Sequence, residues 1–380
     1  VTPWTWVLLA ALALLLVQLA FLVVNLRAWP SLDEPVPLPD RVSLLIPARD
    51  EGSRLGACLD ACLAQTHANL EIIVLDDQST DDTWDVIASY AADPRLRKLR
   101  GDPAAPGDFG KSRACAQLAA AATGDWLCFI DADVRLAPIT VTAALATARR
   151  RDADLLSGFG HVLNRSLTGH LVTTMMAFTI AAHLPLRRAT HSSDPRFVAA
   201  NGMFLLFARH AYESIGGHLQ AGQHIVEDMA LARAIKRSGR RALLCNLTGY
   251  LSVAMYDRAR DVWHGFSKNA FAGIGRSAAV LILVTSLYAW MYILPPVTVL
   301  ALALAALIGH GSSTATWAVA AIATALGPGL KRLVDRRFGV ARWVSLLMAA
   351  SALLLIGILL YSAVRSWLRI GYTWKGRRYQ

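Results

Sequence analysis

Trp126-Leu127-Cys128-Phe129-Ile130-Asp131-Ala132-Asp133 is the stretch on which the fold turns. The apolar run from Trp126 to Ile130 follows Gly124 and gives way to polar residues, which predicts a short buried strand. Two carboxylates then emerge where the strand stops. Side chains alternate along a strand, so Asp131 and Asp133 point the same way. Such a pair offers hard oxygen ligands for Mg2+ or Mn2+, with waters and a substrate's phosphates completing the shell. Taken alone, a pattern of this kind more often marks a solvated turn. Its weight comes from its surroundings.

Upstream, Val42-Ser43-Leu44-Leu45-Ile46 predicts a strand stopped by Pro47, followed by helical spacing from about Ser53 to Leu63. A second strand is expected at Glu71–Leu75, a helix from about Asp81 to Tyr90, a short strand at Lys98–Arg100 and a helix near Ser112–Ala121. This alternation implies an α/β fold, a mostly parallel sheet with helices on both faces. Ligands of such sheets bind beyond the carboxyl ends of the strands, and the acidic residues gather there. Ser79 or Thr80 is expected to cap the helix after the second strand, with Asp81 and Asp82 at its positive end. Capping leaves Asp76 and Asp77 unexplained. Carboxylates at that strand tip can accept hydrogen bonds from a nucleobase imide and a ribose hydroxyl. Gly110-Lys111 brings a cation to the same rim, to meet a nucleotide phosphate or a neighbouring carboxylate. Glu227-Asp228 opens an amphipathic helix that runs through Leu231 and Ile235 to Gly239. These two acids serve either as partners of the helix dipole or, with that turn facing the cleft, as a source of a catalytic base.

The hydrophobic fraction is 55% and the mean hydropathy +0.40, and the excess is localised. From Trp6 to Val24 the only polar residue is Gln18, a length suited to a membrane-crossing helix. No basic segment precedes it and no small-x-small site follows, which favours an anchor over a cleaved signal. Further apolar segments lie at about Ala278–Ile308, which Pro295-Pro296 makes one kinked span or two short ones, at Thr314–Leu326 and at Val344–Val364. Leu171–Leu186 is interrupted by His183 and Pro185 and reads as an interfacial or buried helix. The net charge of +11 is concentrated near these segments, at Arg27, at Lys331, Arg332, Arg336 and Arg337, and in a tail with Lys375, Arg377 and Arg378. Basic residues favour the cytoplasmic side, beside anionic lipid. Four spans after Arg27, with Ala278–Ile308 counted as two, satisfy Arg27 and the tail but put the 331–337 group, read as a loop, on the opposite side. The topology after residue 277 is therefore open in the sequence.

The resulting organisation is an anchor over 1–29, a proline-rich linker over 30–39, an α/β unit over 40–256, an amphipathic interfacial segment over 257–276, transmembrane helices over 277–366 and a basic tail over 367–380. No basic stripe with interleaved aromatics suggests nucleic-acid binding. The five cysteines, Cys58, Cys62, Cys115, Cys128 and Cys245, have neither zinc nor redox spacing, and their odd number fits a reducing compartment. The absence of G-x-G-x-x-G after the first strand argues against a dehydrogenase. The scarcity of ionisable residues in the spans argues against a transporter.

Val42–Glu51, Asp76–Thr83, Gly110-Lys111, Asp131-Ala132-Asp133, Gly216-Gly217-His218 and Glu227-Asp228 resemble, in order and spacing, family 2 glycosyltransferases, over about two hundred residues. That resemblance implies a GT-A fold and an inverting transfer from a nucleotide sugar. It implies that Pro47, Ala48, Glu51, Asp76 and Asp77 hold the nucleoside, that Lys111 approaches the diphosphate, and that Asp131 and Asp133 hold the Mg2+ or Mn2+. Asp228, beside Glu227, is implied as the general base on the acceptor hydroxyl. Asp50 stands where the family usually has Asn.

Arg258, Arg260, Trp263, Lys268 and Asn269 lie in a charged, aromatic stretch that suits a membrane-surface helix. They are expected either to contact diphosphate or lipid head group or to anchor at the surface. Processive members of the family carry a Q-x-x-R-W signature here, which this chain lacks. The stretch and the tail resemble enzymes that glycosylate membrane lipids, such as carotenoid-acid (diaponeurosporenoate) glucosyltransferases and ceramide-glucosyltransferase-like or hopanoid-associated proteins. The expected partners are thus a UDP-sugar, with glucose as the expected hexose, a lipid acceptor such as a carotenoid, hopanoid or sphingolipid-like lipid, and the bilayer, with the enzyme in the inner membrane and its catalytic unit on the cytoplasmic face. A polyprenyl-phosphate sugar transferase and a non-catalytic scaffold of the same fold are the alternatives.

Overall fold

The computed structural model describes residues 2–102, 109–220, 224, 226–374 and 377–379. It opens with α1 (Pro3–Arg27), capped by Thr2, whose hydroxyl accepts from Thr5 N–H at 3.3 Å, with Pro3 in the first turn where no hydrogen bond is lost. The α/β unit follows: β1 (Val42–Ala48), α2 (Gly52–Leu63), β2 (Leu70–Asp76), α3 (Thr83–Ser89), β3 (Leu96–Arg100), α4 (Gly110–Ala121), β4 (Trp126–Ile130), β5 (Val134–Leu136), α5 (Thr140–Arg150), β6 (Leu155–Phe159) and β7 (His161–Val162). It continues through α6 (Leu167–His183), α7 (Leu186–His191), β8 (Phe204–Ala208), α8 (Arg209–Ser214), α9 (Gly217–Gln220), α10 (Glu227–Arg237), β9 (Ala242–Asn246) and β10 (Leu251–Val253).

The main sheet has the order β3-β2-β1-β4-β8-β6-β9, parallel except where β8 runs against β4 and β6. A small sheet, β5-β10-β7, caps it. The strands β1, β2 and β4 are buried on both faces, which explains their continuous apolar sequences.

Two local expectations are corrected. Pro47 does not stop β1 but lies inside it, opposite Leu75 of β2, because pairing with β4 already ends at Leu45 and no donor is needed on that side. Ser79 and Thr80 do not cap α3, which begins at Thr83 with Asp82 at its cap and no side-chain cap bond. They are used between loops instead. Asp50 N–H donates to Ser79 Oγ at 3.0 Å and Thr80 N–H donates to Asp50 Oδ1 at 2.7 Å.

Beyond β10 come α11 (Ala259–Gly273), α12 (Ala278–Tyr288), a π-helical turn at Ala289–Ile293, α13 (Leu294–Leu307), α14 (Thr314–Arg337), α15 (Arg342–Leu346) and α16 (Met348–Trp367). Short strands β11 (Tyr372–Trp374) and β12 (Arg377–Tyr379) pair in the tail, and Lys375 lies outside the described residues. Among the described residues three helical stretches are long and apolar enough to cross a membrane: Pro3–Arg27, Ala278–Leu307 and Met348–Trp367. Pro295-Pro296 therefore does not divide the second into two. The widened turn just before the prolines keeps the helix continuous.

The 331–337 group is not a loop but the last two turns of α14. Thr5 and Thr316 hydroxyls meet at 2.8 Å, and Arg337 donates to the Trp29 carbonyl at 2.7 Å, so α14 runs parallel to α1. Its basic end sits beside that of α1. Lys331 is fully buried, bonded to both Asp335 oxygens at 2.9 Å and to Thr174 Oγ1 at 2.8 Å, so it contributes no surface charge. The expected helix over 171–186 is α6, broken at Leu184-Pro185. Met175 and Phe178 pack with Leu15, Leu22 and Tyr288, and Val172 with Val262 and Ile358, which makes α6 the buried centre of the helical layer.

Candidate active site

The chemistry-bearing side chains converge above the carboxyl end of β4. Lys111, in the first turn of α4, reaches Asp131 Oδ1 at 2.7 Å and Glu227 Oε1 at 2.9 Å. Asp228 turns the other way and accepts from Gly202 N–H at 2.9 Å and Met229 N–H at 2.7 Å. Gly202, just before β8, is a close-approach position that sequence reasoning missed. A Cβ there would lie 3.2 Å from Lys111 Nζ and 3.6 Å from Glu227 Oε1. Gly216 and Gly217 have positive φ (69° and 51°), and that bend buries His218 against Tyr212, whose hydroxyl is 2.9 Å from His218 Nδ1. The gap between them is lined by Pro47, Lys111, Asp131, Gly202, His218 and Glu227.

The neighbours set the protonation states. Burial, reinforced by Glu227, raises Asp228 to about 7. Burial acts on Glu227 in the same sense, but the adjacent Lys111 ammonium outweighs it and holds that carboxyl below its ordinary value. Burial, then Asp131 and Glu51, raise Asp133 to about 7. His218 is pushed down to about 3 by burial, with Lys111 adding to the effect, and stays neutral. Two adjacent acids thus acquire different characters: Glu227 a fixed anion, Asp228 a group poised to exchange a proton near neutrality.

The tips of β1 and β2 form the next part of the rim. Asp77 N–H donates to the Ala48 carbonyl at 2.7 Å and Arg49 Nη1 to the Asp77 carbonyl at 2.6 Å. The buried Asp76 accepts from Ser79 N–H at 3.1 Å, and Glu51 N–H donates to Thr83 Oγ1 at 2.8 Å as α2 begins. Asp50 has φ of 49°. Asn and Asp both tolerate this left-handed backbone and both present an acceptor oxygen, so an Asp suits this turn as an Asn would.

Towards the helical layer, Tyr256 hydroxyl fits against Gly265 of α11, where a Cβ would be 2.1 Å away. Burial and then Asp133 raise this phenol to about 12. Arg54 of α2 spans from the rim to the same segment, pairing with Asp257 at 2.7 Å and donating to the Met255 carbonyl at 3.2 Å. Neither Tyr256 nor Arg54 stood out in the sequence, because only the fold brings residues 54 and 256 together. Arg258 caps α11 and Arg260 is exposed, 3.5 Å from Asp261, while Lys268 lies on the same helix further from the rim. Trp263 packs on α16, over Gly357 and 5.8 Å from the Tyr361 ring centre, so the ring belongs to the helical layer and not to the cluster around Lys111.

Among the described residues no three His, Cys, Asp or Glu side chains group as a complete ion shell. The two-carboxylate set nevertheless fits a divalent cation. Asp133 is crowded by Asp131 and Glu51, an excess of negative charge that such an ion would relieve, with substrate oxygens and water completing the shell.

Residues 43–215 match the family described as Glycosyl transferase family 2. The chain is similar to the 4,4'-diaponeurosporenoate glycosyltransferases of Staphylococcus haemolyticus strain JCSC1435, at 27% identity over 235 residues, 61% of each chain. To that of Staphylococcus aureus strain MRSA252 it is 27% identical over 243 residues, 62% of each chain. The match spans about three fifths of these relatives' length. Among solved structures it is similar in fold to the mannosyltransferase PcManGT from Pyrobaculum calidifontis in complex with GDP-Man and Mn2+. The TM-score is 0.56 at 20% identity, covering 93% of this chain and 99% of that one. Residues 43–215 therefore match family 2 glycosyltransferases, within a unit of GT-A fold.

Proposed function

We propose that the protein is an inverting membrane glycosyltransferase that moves one hexose from a UDP-sugar to a membrane lipid. The observation that carries this reading is the pairing of Asp228, raised to about 7, with Glu227 held anionic by Lys111, at one rim of a glycosyltransferase sheet flanked by apolar helices.

Pro47, Ala48, Glu51, Asp76 and Asp77 line the nucleoside end. Lys111 exchanges its contact with Asp131 for the diphosphate, leaving Glu227 to fix the ammonium. Mg2+ or Mn2+ held by Asp131 and Asp133 would offset the charge that builds on the departing diphosphate. Asp228 takes the proton of the acceptor hydroxyl as its oxygen forms the bond to the anomeric carbon, on the face opposite the breaking bond to the nucleoside diphosphate. The tight Gly202 turn holds that carboxylate in place through its N–H.

Three observations support a lipid acceptor: the span-length helices, the basic ends of α1 and α14 on the side of the catalytic unit, and the carotenoid-acid acceptor in the names of the staphylococcal relatives. With those basic ends, the positive-inside tendency supports a catalytic unit on the cytoplasmic face of the inner membrane.

Reconstituted full-length protein with Mn2+ and labelled UDP-glucose, UDP-galactose or GDP-mannose should label a lipid extract with one donor. Label on no lipid from active-site-intact protein with any donor overturns the reading. Label that is acid-labile and sits on an isoprenoid phosphate makes the acceptor a polyprenyl phosphate. A scaffold would be indifferent to Asp228→Asn.

A further inference from the structure

The end of α1 meets α7 around a second cavity of about 490 Å³, open on one side and lined by Phe21, Val24, Asn25, Arg187, Arg188 and His191. We propose that it binds one anionic phospholipid of the leaflet on the catalytic side.

The cavity is built from two unlike walls. Phe21 and Val24 lie on the last turns of a span-length helix, and Val24 is 65% exposed on a face that also leaves Val17 67% exposed. That face is suited to an acyl chain. The other wall carries the exposed cationic side chains Arg187 and Arg188, with the His191 imidazole beside them. Arg187 forms no ion pair among the described residues, and Arg188 has the Phe197 ring 5.2 Å from its guanidinium carbon as a neighbour. Asn25 makes the floor rigid. Its amide donates to the carbonyls of Ala181 at 2.7 Å and Leu184 at 2.6 Å, and its oxygen accepts from Leu186 N–H at 2.7 Å. Two exposed guanidinium groups, neither in an ion pair among the described residues, next to an open apolar groove match a phosphodiester joined to acyl chains better than either part alone.

This place is separate from the transfer site. The helix α7 packs beside β9, the edge strand at the far side of the sheet from β1 and β2. It is not isolated from it, however. Lys236 of α10 donates to the carbonyls of Ala189, Ser192 and Phe197 at 2.5, 2.9 and 2.6 Å, which ties the segment carrying the arginines to the helix whose first turn holds Asp228.

The test is lipid binding and does not depend on the transfer reaction. Native mass spectrometry of the detergent-purified full chain, titrated with phosphatidylglycerol or phosphatidylcholine, should show tighter retention of phosphatidylglycerol. Arg187→Gln/Arg188→Gln should weaken that retention by roughly tenfold or more while leaving phosphatidylcholine unchanged, as expected for the loss of two interfacial cations. Thermal melting in phosphatidylcholine nanodiscs controls for folding, and Arg187→Gln alone, at an exposed position, serves if the double variant fails it. Equal retention of the two lipids, or wild-type retention by the variants, overturns the proposal. So does displacement by inorganic phosphate as effective as by the lipid, since the cavity would then be an ion site.

Discussion

Glu71, buried in β2, and Asp228, half-buried in the first turn of α10, are carboxylates that the fold treats oppositely. Glu71, at the start of β2, accepts from Ser43 Oγ at 2.5 Å, Thr123 N–H at 2.6 Å, Thr123 Oγ1 at 2.8 Å and Gly124 N–H at 3.1 Å, with Arg97 at 3.4 Å and Arg41 at 3.8 Å. Burial would raise it, but these donors outweigh burial and hold it below its ordinary value. Asp228 has two backbone donors and an anionic neighbour, and it is raised to about 7. Burial alone does not make an acid reactive. The number of donors aimed at it decides whether it becomes a permanent anion that fastens the fold or a base that exchanges protons.

The largest test of that contrast is the paired substitution Asp228→Asn and Glu71→Gln. Asp228→Asn should reduce kcat by about 10²–10⁴-fold, the usual worth of a positioned base, with the melting temperature kept. Glu71→Gln should do the reverse, costing about 2 kcal/mol of stability through its lost charged hydrogen bonds while folded protein transfers sugar normally. A Glu71 variant that folds as well as wild type but fails in catalysis would break the comparison.

Lys111→Met should come next, with a loss of about 10²-fold in kcat/KM, in line with removal of a charge-stabilising group. It should also move the onset of the pH profile upward, since the Lys111 ammonium is one of the groups that lower Asp228.

The pH dependence sharpens the contrast further. Under the proposed function Asp228 works as the anion, so kcat/KM should rise with pH through about 7, a limb absent from the residual activity of Asp228→Asn. Stability follows opposite signs at the two sites. Because Asp228 is raised above the ordinary value of about 3.9, its contribution is present below that value and is lost as pH rises through about 7. Asp228→Asn should therefore gain in relative stability above neutrality. Glu71 is depressed, so its contribution is present above the ordinary value of about 4.3 and is lost on acidification through its lower folded value. Melting curves of both variants across that range decide the signs.

The smallest expected effect is that of Gly202→Ala. The added methyl group would meet Lys111 Nζ at 3.2 Å, a flexible end that can shift, so a several-fold fall in kcat with little change in melting temperature is expected.

What the sequence revealed follows the reach of its signals. The strand at Trp126–Ile130 and the carboxylates after it were legible because a bounded apolar run and a period of two are local properties. Pro47 was misread because its tolerance depends on β4 ending its pairing at Leu45, a non-local fact. Ser79 and Thr80 were assigned to a helix end because their cross-loop partner, Asp50, is about thirty positions away. Gly202 and the Arg54–Asp257 strap had no signal that one sequence offers. The 331–337 segment did carry one: Lys331 and Asp335 stand four apart, the spacing of a helical ion pair, and that spacing argues against a loop.

The bond from Arg337 to the Trp29 carbonyl has a consequence for acceptor choice. It joins the ends of two parallel helices, and Asn246 of the catalytic unit holds both, its N–H donating to the Pro30 carbonyl at 2.7 Å and its side-chain amide to the Arg337 carbonyl at 2.9 Å. A unit held at two points cannot swing like one on a single flexible stalk, so its reactive rim stands at a set height over the acyl region. Under the proposed function, an acceptor is then sorted by how far its nucleophilic oxygen protrudes from the bilayer before the shape of its head group is read.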